Sequence, residues 1–471
     1  MEQLYHTLPS YVKDLISTFQ KQGFEIYLVG GSVRNLFLGK AVKDWDFTTS
    51  AEPSQILEMF PDGFYDNTFG TVGIPQEIDG EKYVFEVTTY RTESGYSDNR
   101  HPENVSWGKS IEEDLSRRDF TMNAIALKIN SSESSSPLAG EGQGEGKVTI
   151  VDPFEGQKDI EKKIIKTVGD PRERFKEDGL RLLRAIRFAT QLTFTIDSET
   201  MQEITNDSYL LQNISQERIR DELLKMLASD YPYEGIMLLR NTNLLQYILP
   251  ELLEGEGISQ ERPGRHHTTD VFTHNVMALK MTPATDPIVR FATLIHDVGK
   301  PRVRGEDRDG LVIFHNHEVV GSHMAREICD RLRFSKKDRE KVMTLIRWHM
   351  FTVDEHITDG AVRRFIRRIG VDNVKDMIDL RIGDRLGSGT QTAESWRLKK
   401  FKERIEEQLA PEPFGIKDLV IDGNDIMKEL SVKPGRKIGE VLQKLFEEVE
   451  EDLEKNTREY LLNRTKELYN E

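Results

Sequence analysis

Two aspartates, Asp44 and Asp46, are the residues whose type and spacing most clearly predict chemistry in this sequence. They follow an apolar run at 26–29, typical of a buried strand, and a Gly30–Gly31 pair that turns this strand into a helix beginning near Ser32. Glycines let backbone amides approach an anion, and a helix N-terminus favours phosphate. On an extended strand, Asp44 and Asp46 would project from one face. Two carboxylates beside a phosphate cradle suit Mg²⁺, so the pattern predicts nucleotidyl transfer.

The composition limits the class of protein. The chain has 471 residues, of which 37% are hydrophobic and 31% charged, which is ordinary for a helix-rich soluble protein. No apolar stretch is long enough to span a bilayer, and the first residues lack a signal-peptide pattern. The single cysteine, Cys329, excludes an internal disulfide and is compatible with a reducing compartment. We therefore expect a cytoplasmic protein that does not bind membranes.

The charge distribution bears on nucleic-acid binding. A net charge of −16 argues against a broad, non-specific coat on nucleic acid. Basic residues nevertheless cluster at 172–187 and at 363–368. Such runs are more often solvated helix faces, so they permit local RNA binding without predicting it.

The patterning divides the chain into four regions and predicts an α+β fold. A head at 1–157 alternates strands and helices, and it contains a Ser-, Gly- and Glu-rich insertion at 131–147 that cannot bury a core and is expected to be mobile. A neck at 158–253 is almost wholly helical. A His-rich helical region at 265–405 and a helical tail at 414–471 follow, each after a linker.

Further blocks along the chain carry a family resemblance. These blocks are Phe85–Arg91, Glu113–Ala124, Arg174–Arg181, Glu217–Glu222, Val420–Met427 and Pro434–Gly439. Together with the opening motif, they resemble the class II, bacterial-type tRNA nucleotidyltransferases, the CCA-adding enzymes, over nearly the whole chain. The resemblance implies a polymerase-β-like head, Mg²⁺ as cofactor, and tRNA, CTP and ATP as substrates.

The resemblance also implies roles for individual residues. Asp44 and Asp46 would hold Mg²⁺ and position the α-phosphate for attack by the RNA 3′-hydroxyl. Glu86 would be a third catalytic carboxylate or, alternatively, a strand residue paired with Arg91. The residues expected to bind the nucleotide's triphosphate and ribose are Gly30, Gly31, Ser32, Arg34, Arg91, Arg118, Asp119 and Asn123. Asn35 stands where the family usually has an aspartate, and we expect a structural consequence.

Asp178 and Arg181 are expected to select the nucleobase. They are three residues apart and would share one face of a helix. A carboxylate accepts from the amino group of cytosine or adenine, while a guanidinium donates to the adjacent ring acceptor; guanine and uracil present the opposite pattern. In the family such a pair selects CTP and then ATP, and an ordinary surface ion pair is the alternative. Glu217, Arg218 and Glu222 are expected to brace this helix.

A second candidate site is a group of histidines. Nine of the eleven histidines lie between His266 and His356. With the adjacent pair His296–Asp297 and the segment Phe314–Gly321, this stretch resembles the HD superfamily of metal phosphohydrolases. The resemblance implies a divalent transition metal held by His274, His296, Asp297, His317, His349 and Asp384. Phosphatase or 2′,3′-cyclic phosphodiesterase activity would follow, unless the domain keeps its ligands without turnover.

The sequence therefore predicts a template-independent enzyme that adds C and A residues to the tRNA 3′ end. A bacterial poly(A) polymerase shares the head, but has a Gly-basic-basic-Phe signature where this chain has Asn67–Val72. CC-adding members shorten the loop that corresponds to Thr92–Pro102. In this chain the loop is full-length, which favours full CCA addition or the addition of A alone. Alternatives from other classes are a metal phosphohydrolase with an RNA-binding head and a non-catalytic RNA-binding protein.

Overall fold

The computed structural model describes residues 2–42, 44–66, 70–78, 80–96, 102–108, 110–130, 147–261, 269–351, 357–390, 392–409 and 415–470. The expected insertion, apart from Lys147, lies outside these residues, as do residues 67–69 of the poly(A) signature position and residues 97–101 of the long loop. The chain separates into two compact units, Met1–Pro250 and Glu251–Glu471.

A mixed sheet forms the centre of the first unit. The strands of this unit are β1 (Ile26–Val29), β2 (Asp46–Thr49), β3 (Phe64–Asp66), β4 (Thr71–Ile78), β5 (Glu81–Thr89), β6 (Arg91–Tyr96), β7 (Pro102–Trp107), β8 (Ala126–Asn130), β9 (Lys147–Val151), β10 (Ile164–Ile165) and β11 (Thr195–Ile196). Seven of them are arranged in the order β3–β4–β5–β2–β1–β8–β9. Strand β2 runs parallel to β5, and the other neighbours are antiparallel.

Strand β1 is central in the sheet, which explains its sequence. All four of its residues are buried, as expected for a strand covered on both faces. The sequence places this strand correctly at 26–29, whereas β2 begins two residues later than expected, at Asp46. Lys147, which was expected to belong to the insertion, pairs with Asn130 at the start of β9 instead.

Helices cover the sheet and form the rest of the first unit. They are α1 (Glu2–Thr7), α2 (Ser10–Lys21), α3 (Gly30–Phe37), α4 (Pro53–Met59), α5 (Ile111–Ser116), α6 (Gly156–Lys162), α7 (Pro171–Glu177), α8 (Leu180–Leu192), α9 (Ser198–Asn206), α10 (Gln216–Leu227), α11 (Pro232–Asn241) and α12 (Leu245–Ile248). The Asp170 side chain caps α7 by accepting from the amides of Arg172 and Glu173, and Pro171 occupies the first turn.

The described residues of the second unit form helices and one short hairpin. Its elements are α13 (Pro250–Leu253), α14 (Val271–Met281), α15 (Pro287–Leu294), β12 (Gly305–Glu306), β13 (Val312–Ile313), α16 (His317–Arg331), α17 (Lys336–Trp348), α18 (Asp359–Ile369), α19 (Val374–Gly387), α20 (Trp396–Leu409), α21 (Gly423–Leu430), α22 (Arg436–Glu451) and α23 (Arg458–Asn470). In α22, apolar residues at helical spacing are buried in a core with Ile426 and Leu461. Among the described helices, none has the length and apolar character needed to cross a membrane.

Candidate active site

The first site lies where β2 begins. Asp46 is paired in register with Glu86 of β5, so both carboxylates project from the same face of the sheet. Asp44 lies in a bend before the strand, and the prediction that one extended strand carries both aspartates is therefore wrong. Asp44, Asp46 and Glu86 nevertheless line the same cavity. Trp45, between the two aspartates, is buried.

This cavity is strongly basic and has a volume of about 750 Å³. Besides the carboxylates, it is lined by the basic side chains of Arg34, Arg117, Arg118, Arg181, Arg184, Arg187, Arg218 and Lys225. Arginine side chains are well suited to phosphate, because a guanidinium can donate two parallel hydrogen bonds. The cavity can therefore accept a triphosphate, while the three carboxylates supply the oxygen ligands that Mg²⁺ requires.

The electrostatics of Asp46 favour a bound cation. The pKa of Asp46 is raised to about 6. Burial is the largest cause of this rise, and the carboxylates of Glu86 and Asp44 add to it, whereas Arg118 lowers the pKa. A divalent cation would offset the repulsion between these groups. The site therefore fits Mg²⁺ in both donor type and charge.

The turn from β1 into α3 brings the backbone close to this site. Gly30 has a φ of +68°, and a Cβ at this position would lie 3.1 Å from Nη1 of Arg118 and 3.3 Å from Oδ2 of Asp46. Glycine is favoured because it tolerates both the left-handed conformation and the crowding. Helix α3 begins at Gly30, two residues before the predicted Ser32. The hydroxyl of Ser32 is buried and donates to the carbonyl of Val29 at 2.7 Å, so it holds the turn.

Asp119 organises the residues predicted to bind ribose. Its Oδ1 accepts from Nδ2 of Asn123 at 3.0 Å, and its Oδ2 accepts from Nε and Nη2 of Arg184 at 2.8 and 2.6 Å. Burial raises the pKa of Asp119, but Arg184 and these hydrogen bonds hold this pKa below its usual range. Oδ1 of Asn123 accepts from Nη1 of Arg34 at 2.8 Å. Asp119 is therefore an anion that holds its neighbours in place at the cavity.

Asn35 contacts an arginine of the cavity, whereas Arg91 does not line the cavity among the described residues. Oδ1 of Asn35 accepts from Nε and Nη2 of Arg34 at 3.3 and 3.1 Å, so Asn35 helps to orient a cavity arginine. This contact is the structural role expected of the residue. Arg91 is the first residue of β6 and is not among the described residues that line the cavity.

Asp178 and Arg181 both line the cavity, but they do not share a helix. Helix α7 ends at Glu177 and α8 begins at Leu180, while Asp178 has an extended backbone between them. Its Oδ1 accepts from the amide of Leu180 at 3.0 Å, so Asp178 satisfies the first amide of α8. The prediction of one continuous helix is wrong because Asp178 and Gly179 form the break between α7 and α8.

The partners of these two residues also differ from the expectation. Asp178 accepts from Nη1 and Nη2 of Arg218 at 3.2 and 2.7 Å. Arg181 donates to Glu177 and to the backbone carbonyls of Arg174 and Arg117. Arg218, expected only to brace a helix, is thus the cation that contacts the predicted base-selecting carboxylate.

Two arginines of this cavity could have been identified from the sequence by their spacing. Arg184 and Arg187 follow Arg181 at intervals of three on α8, which places all three near one face. The sequence-based prediction included Arg184 and Arg187 only as part of the basic run at 172–187 and gave them no role in the site. Arg187 donates to Oε2 of Glu222 at 2.5 Å, in agreement with the bracing role expected of Glu222.

The second site is a buried cluster in the second unit. The structure brings together the six residues predicted to bind a metal, which are His274, His296, Asp297, His317, His349 and Asp384. Asp297 lies at the centre. Its Oδ2 is 3.3 Å from Nε2 of both His274 and His296, and its Oδ1 is 3.2 Å and 3.5 Å from Nε2 of His317 and His349. Asp384 approaches Nε2 of His274 at 3.3 Å.

Backbone contacts orient three rings in this cluster. The Nδ1 atoms of His296, His317 and His349 lie 2.8, 2.8 and 2.7 Å from the carbonyls of Thr293, Phe314 and Ile346. A ring nitrogen that faces a carbonyl donates to it, so Nε2 is the atom that each ring directs into the cluster and the one that can bind a metal once it has lost its proton. Such second contacts are typical of metal-binding histidines.

The cluster divides into two sets of donors around Asp297. One set contains His274 and His296, whose Nε2 atoms are 3.2 Å apart, and the other contains His317 and His349, whose Nε2 atoms are 3.4 Å apart. Oδ1 of Asp297 is buried without a hydrogen-bond donor among the described residues. Burial raises the pKa of Asp297, but the positive charges of Lys300 and His296 hold this pKa well below its usual range. Imidazoles and ionised carboxylates are suitable ligands for divalent transition metals.

Comparison with known proteins identifies the family. Residues 26–166 match the poly A polymerase head domain, 193–255 the probable RNA and SrmB-binding site of polymerase A, and 313–464 the putative tRNA nucleotidyltransferase domain 2. The A-adding tRNA nucleotidyltransferase of Deinococcus radiodurans is 32% identical over 440 residues, which cover 89% of this chain and 90% of that protein. The chain belongs to the tRNA nucleotidyltransferase family. It is therefore an enzyme of nucleotidyl transfer, and the resemblance to the tRNA nucleotidyltransferases is confirmed, whereas the resemblance of the second unit to the HD superfamily stays a prediction.

Other members of the family support this assignment. The CCA-adding enzyme of Anoxybacillus flavithermus is 31% identical over 437 residues, covering 93% of this chain and 90% of that protein. The CCA-adding enzyme of Geobacillus kaustophilus is 41% identical, but over 235 residues, about half of each protein. The Bacillus stearothermophilus CCA-adding enzyme in complex with CTP superposes with a TM-score of 0.69 over 96% of this chain and 95% of that chain, at 24% identity. This likeness confirms the predicted fold class.

Proposed function

We propose that this enzyme completes the CCA end of tRNA by adding C and A residues from CTP and ATP. The observation that carries the proposal is the cavity in which Asp44, Asp46 and Glu86 meet an array of arginines beside Asp178. Its carboxylates suit Mg²⁺, its basic side chains suit a triphosphate, and Asp178 offers an acceptor for an amino group on the base. Relatives named as CCA-adding enzymes support the same substrates.

Three groups of residues have different roles in the reaction. Asp44, Asp46 and Glu86 would hold Mg²⁺, which when bound polarises the α-phosphate and lowers the pKa of the attacking hydroxyl. The arginines orient the triphosphate and neutralise its charge. The Asp119 network keeps Arg34 and Arg184 in position before substrate binds, so less entropy is lost on binding.

Addition of A alone is the main alternative, because the Deinococcus radiodurans relative has that activity. Three tRNAs that end before CCA, after C and after CC, each supplied with one nucleotide at a time, separate the two functions. We expect C on the first two substrates and A on the third. Addition of A to the third tRNA, with no C added to the others, would establish an A-adding enzyme. A long A tract on any RNA would indicate a poly(A) polymerase.

Nucleobase selection is expected to depend on Asp178. The Asp178→Ala variant removes the acceptor for the amino group and leaves Arg218 without its partner. We expect kcat/KM for CTP and ATP to fall about a hundredfold, with a smaller fall for UTP, because a site that hydrogen-bonds a substrate discriminates strongly against analogues. The measurement is single-nucleotide addition with each of the four triphosphates. Asp221→Ala, at an exposed carboxylate on α10, is the control; equal losses for all four nucleotides would contradict the role.

A second activity is proposed for the second unit, namely metal-dependent phosphoester hydrolysis. The cluster around Asp297 favours it, since its donors form two sets that share one carboxylate. We infer that a divalent transition metal occupies each set. Paired metal ions stabilise both the attacking and the leaving oxygen of a phosphoester.

Two further proposals concern the organisation and location of the enzyme. We propose that the head (1–157), neck (158–253), HD-type region (265–405) and tail (414–471) are separate domains. The boundary between the two compact units at 250 lies close to the end of the proposed neck. A cytoplasmic location is supported by the single cysteine, Cys329, which is buried and unpaired.

A further inference from the structure

An exposed aromatic ring lies on the catalytic face of the sheet. Strand pairing places Asp46, Glu86, Gly73 and Phe64 side by side on β2, β5, β4 and β3. Residues paired across neighbouring strands share a face, so this row is continuous from the carboxylates to Phe64. The Phe64 side chain is nevertheless 54% exposed, although it is large and apolar.

Gly73 allows the Phe64 ring to lean towards the carboxylates. A Cβ at Gly73 would lie 2.7 Å from Cε2 and 2.8 Å from Cε1 of Phe64, so the ring occupies the space that any larger residue would fill. Val84, two residues from Glu86 on the same face of β5, is also half exposed and lines the cavity. Phe64 and Val84 thus form an apolar platform beside Glu86.

The platform and the turn at Gly30 lie on opposite sides of Asp46. In the sheet order, β1 and its turn into α3 are on one side of β2, whereas β5, β4 and β3 are on the other. In-line transfer requires the attacking oxygen and the leaving phosphate to approach the reacting phosphorus from opposite sides. If the triphosphate binds at the β1 side, the RNA 3′-hydroxyl must come from the side of β5, β4 and β3.

The distances suit a nucleotide that enters from this side. Neighbouring strands are about 4.8 Å apart, which puts β4 about 10 Å from β2. The Phe64 ring stands over β4 and is therefore within reach of a base whose own ribose hydroxyl lies at Asp46.

We propose that Phe64 stacks on the terminal base of the RNA acceptor and so positions its 3′-hydroxyl at Asp46. The inference rests on the proposed function, because it requires an RNA acceptor. Stacking on an aromatic ring is tolerant of base identity. This tolerance is required of an enzyme whose acceptor ends in a different base at each step of CCA addition.

The test compares Phe64→Ala with the unaltered enzyme in the addition of A to a tRNA that ends in CC. A second acceptor carries an abasic ribose in place of the terminal nucleoside. We expect Phe64→Ala to raise KM for the normal tRNA about tenfold, with KM for ATP unchanged, because one stacked base is lost. The abasic acceptor should show the same tenfold loss in the unaltered enzyme and no further loss in the variant.

Three further variants exclude a merely structural effect. Phe64→Trp should retain the low KM, since it keeps an aromatic face. Gly73→Ala should raise KM by displacing the ring without removing it. Tyr65→Ala changes a neighbouring exposed aromatic residue on the other face of β3 and should have no effect.

The outcomes separate this inference from the proposed function. If the unaltered enzyme adds no nucleotide to tRNA, the proposed function fails. If it adds A normally but Phe64→Ala leaves KM for tRNA unchanged, or weakens normal and abasic acceptors equally, only the stacking role is overturned.

Discussion

The double variant Asp44→Asn, Asp46→Asn is expected to lose about three orders of magnitude in kcat for nucleotide addition, because it removes the charge that holds the catalytic cation. Glu86 alone would supply too little negative charge beside the arginines of the cavity. Incorporation of labelled CTP and ATP into tRNA measures the loss. Addition at normal rates in the variant would contradict the assignment of the metal site.

The thermal stability of the double variant provides a control, because the direction of its change can be predicted. The pKa of Asp46 is raised to about 6 by burial and by neighbouring carboxylates, so its ionised form is disfavoured in the folded protein. Neutral asparagines should therefore leave the thermal unfolding temperature unchanged or raise it. Glu58→Gln, at an exposed position on α4, serves as the matched variant with full activity. Phosphoester hydrolysis by the second unit should survive in both.

The sequence predicts those parts of the nucleotide site that depend on local patterns. The apolar run of β1, the glycine turn and the two aspartates are encoded within about twenty residues. Strand β1 lies where the pattern indicates, and both aspartates line the same cavity as the turn, although Asp44 precedes the strand. The six metal-binding candidates of the second unit, although far apart in sequence, were also found, because histidine and aspartate are distinctive residue types for a metal site.

The parts that the sequence does not predict depend on tertiary contacts. Asp178 and Arg181 have helical spacing, but the break at Gly179 separates them, and the pairing of Asp178 with Arg218 joins residues forty positions apart. Phe64 becomes notable only through the register of β3 with β4. Strand register and ion pairs between helices are set by packing, which a one-dimensional pattern does not contain.

The second large effect is expected from Asp297→Asn in the histidine cluster. Because the two oxygens of Asp297 face different pairs of histidines, this one change should weaken both proposed metal sites. Metal content, measured after dialysis against Mn²⁺ or Ni²⁺, should fall from about two equivalents to less than one. Hydrolysis of bis-p-nitrophenyl phosphate should be lost, while nucleotide addition continues.

Single-site variants distinguish a shared carboxylate from two independent sites. His274→Ala and His317→Ala remove ligands from different sets, so each should lose about one metal equivalent and keep the other. Asp379→Asn is the control, because Asp379 is buried on the same helix as Asp384 but contacts Lys375 instead of the cluster. A full metal load in Asp297→Asn would show that the cluster does not depend on this carboxylate. Loss of both metals in His274→Ala would show that the two sets bind as one. If all variants and the unaltered enzyme bind metal but none hydrolyses the ester, the cluster keeps its ligands without turnover.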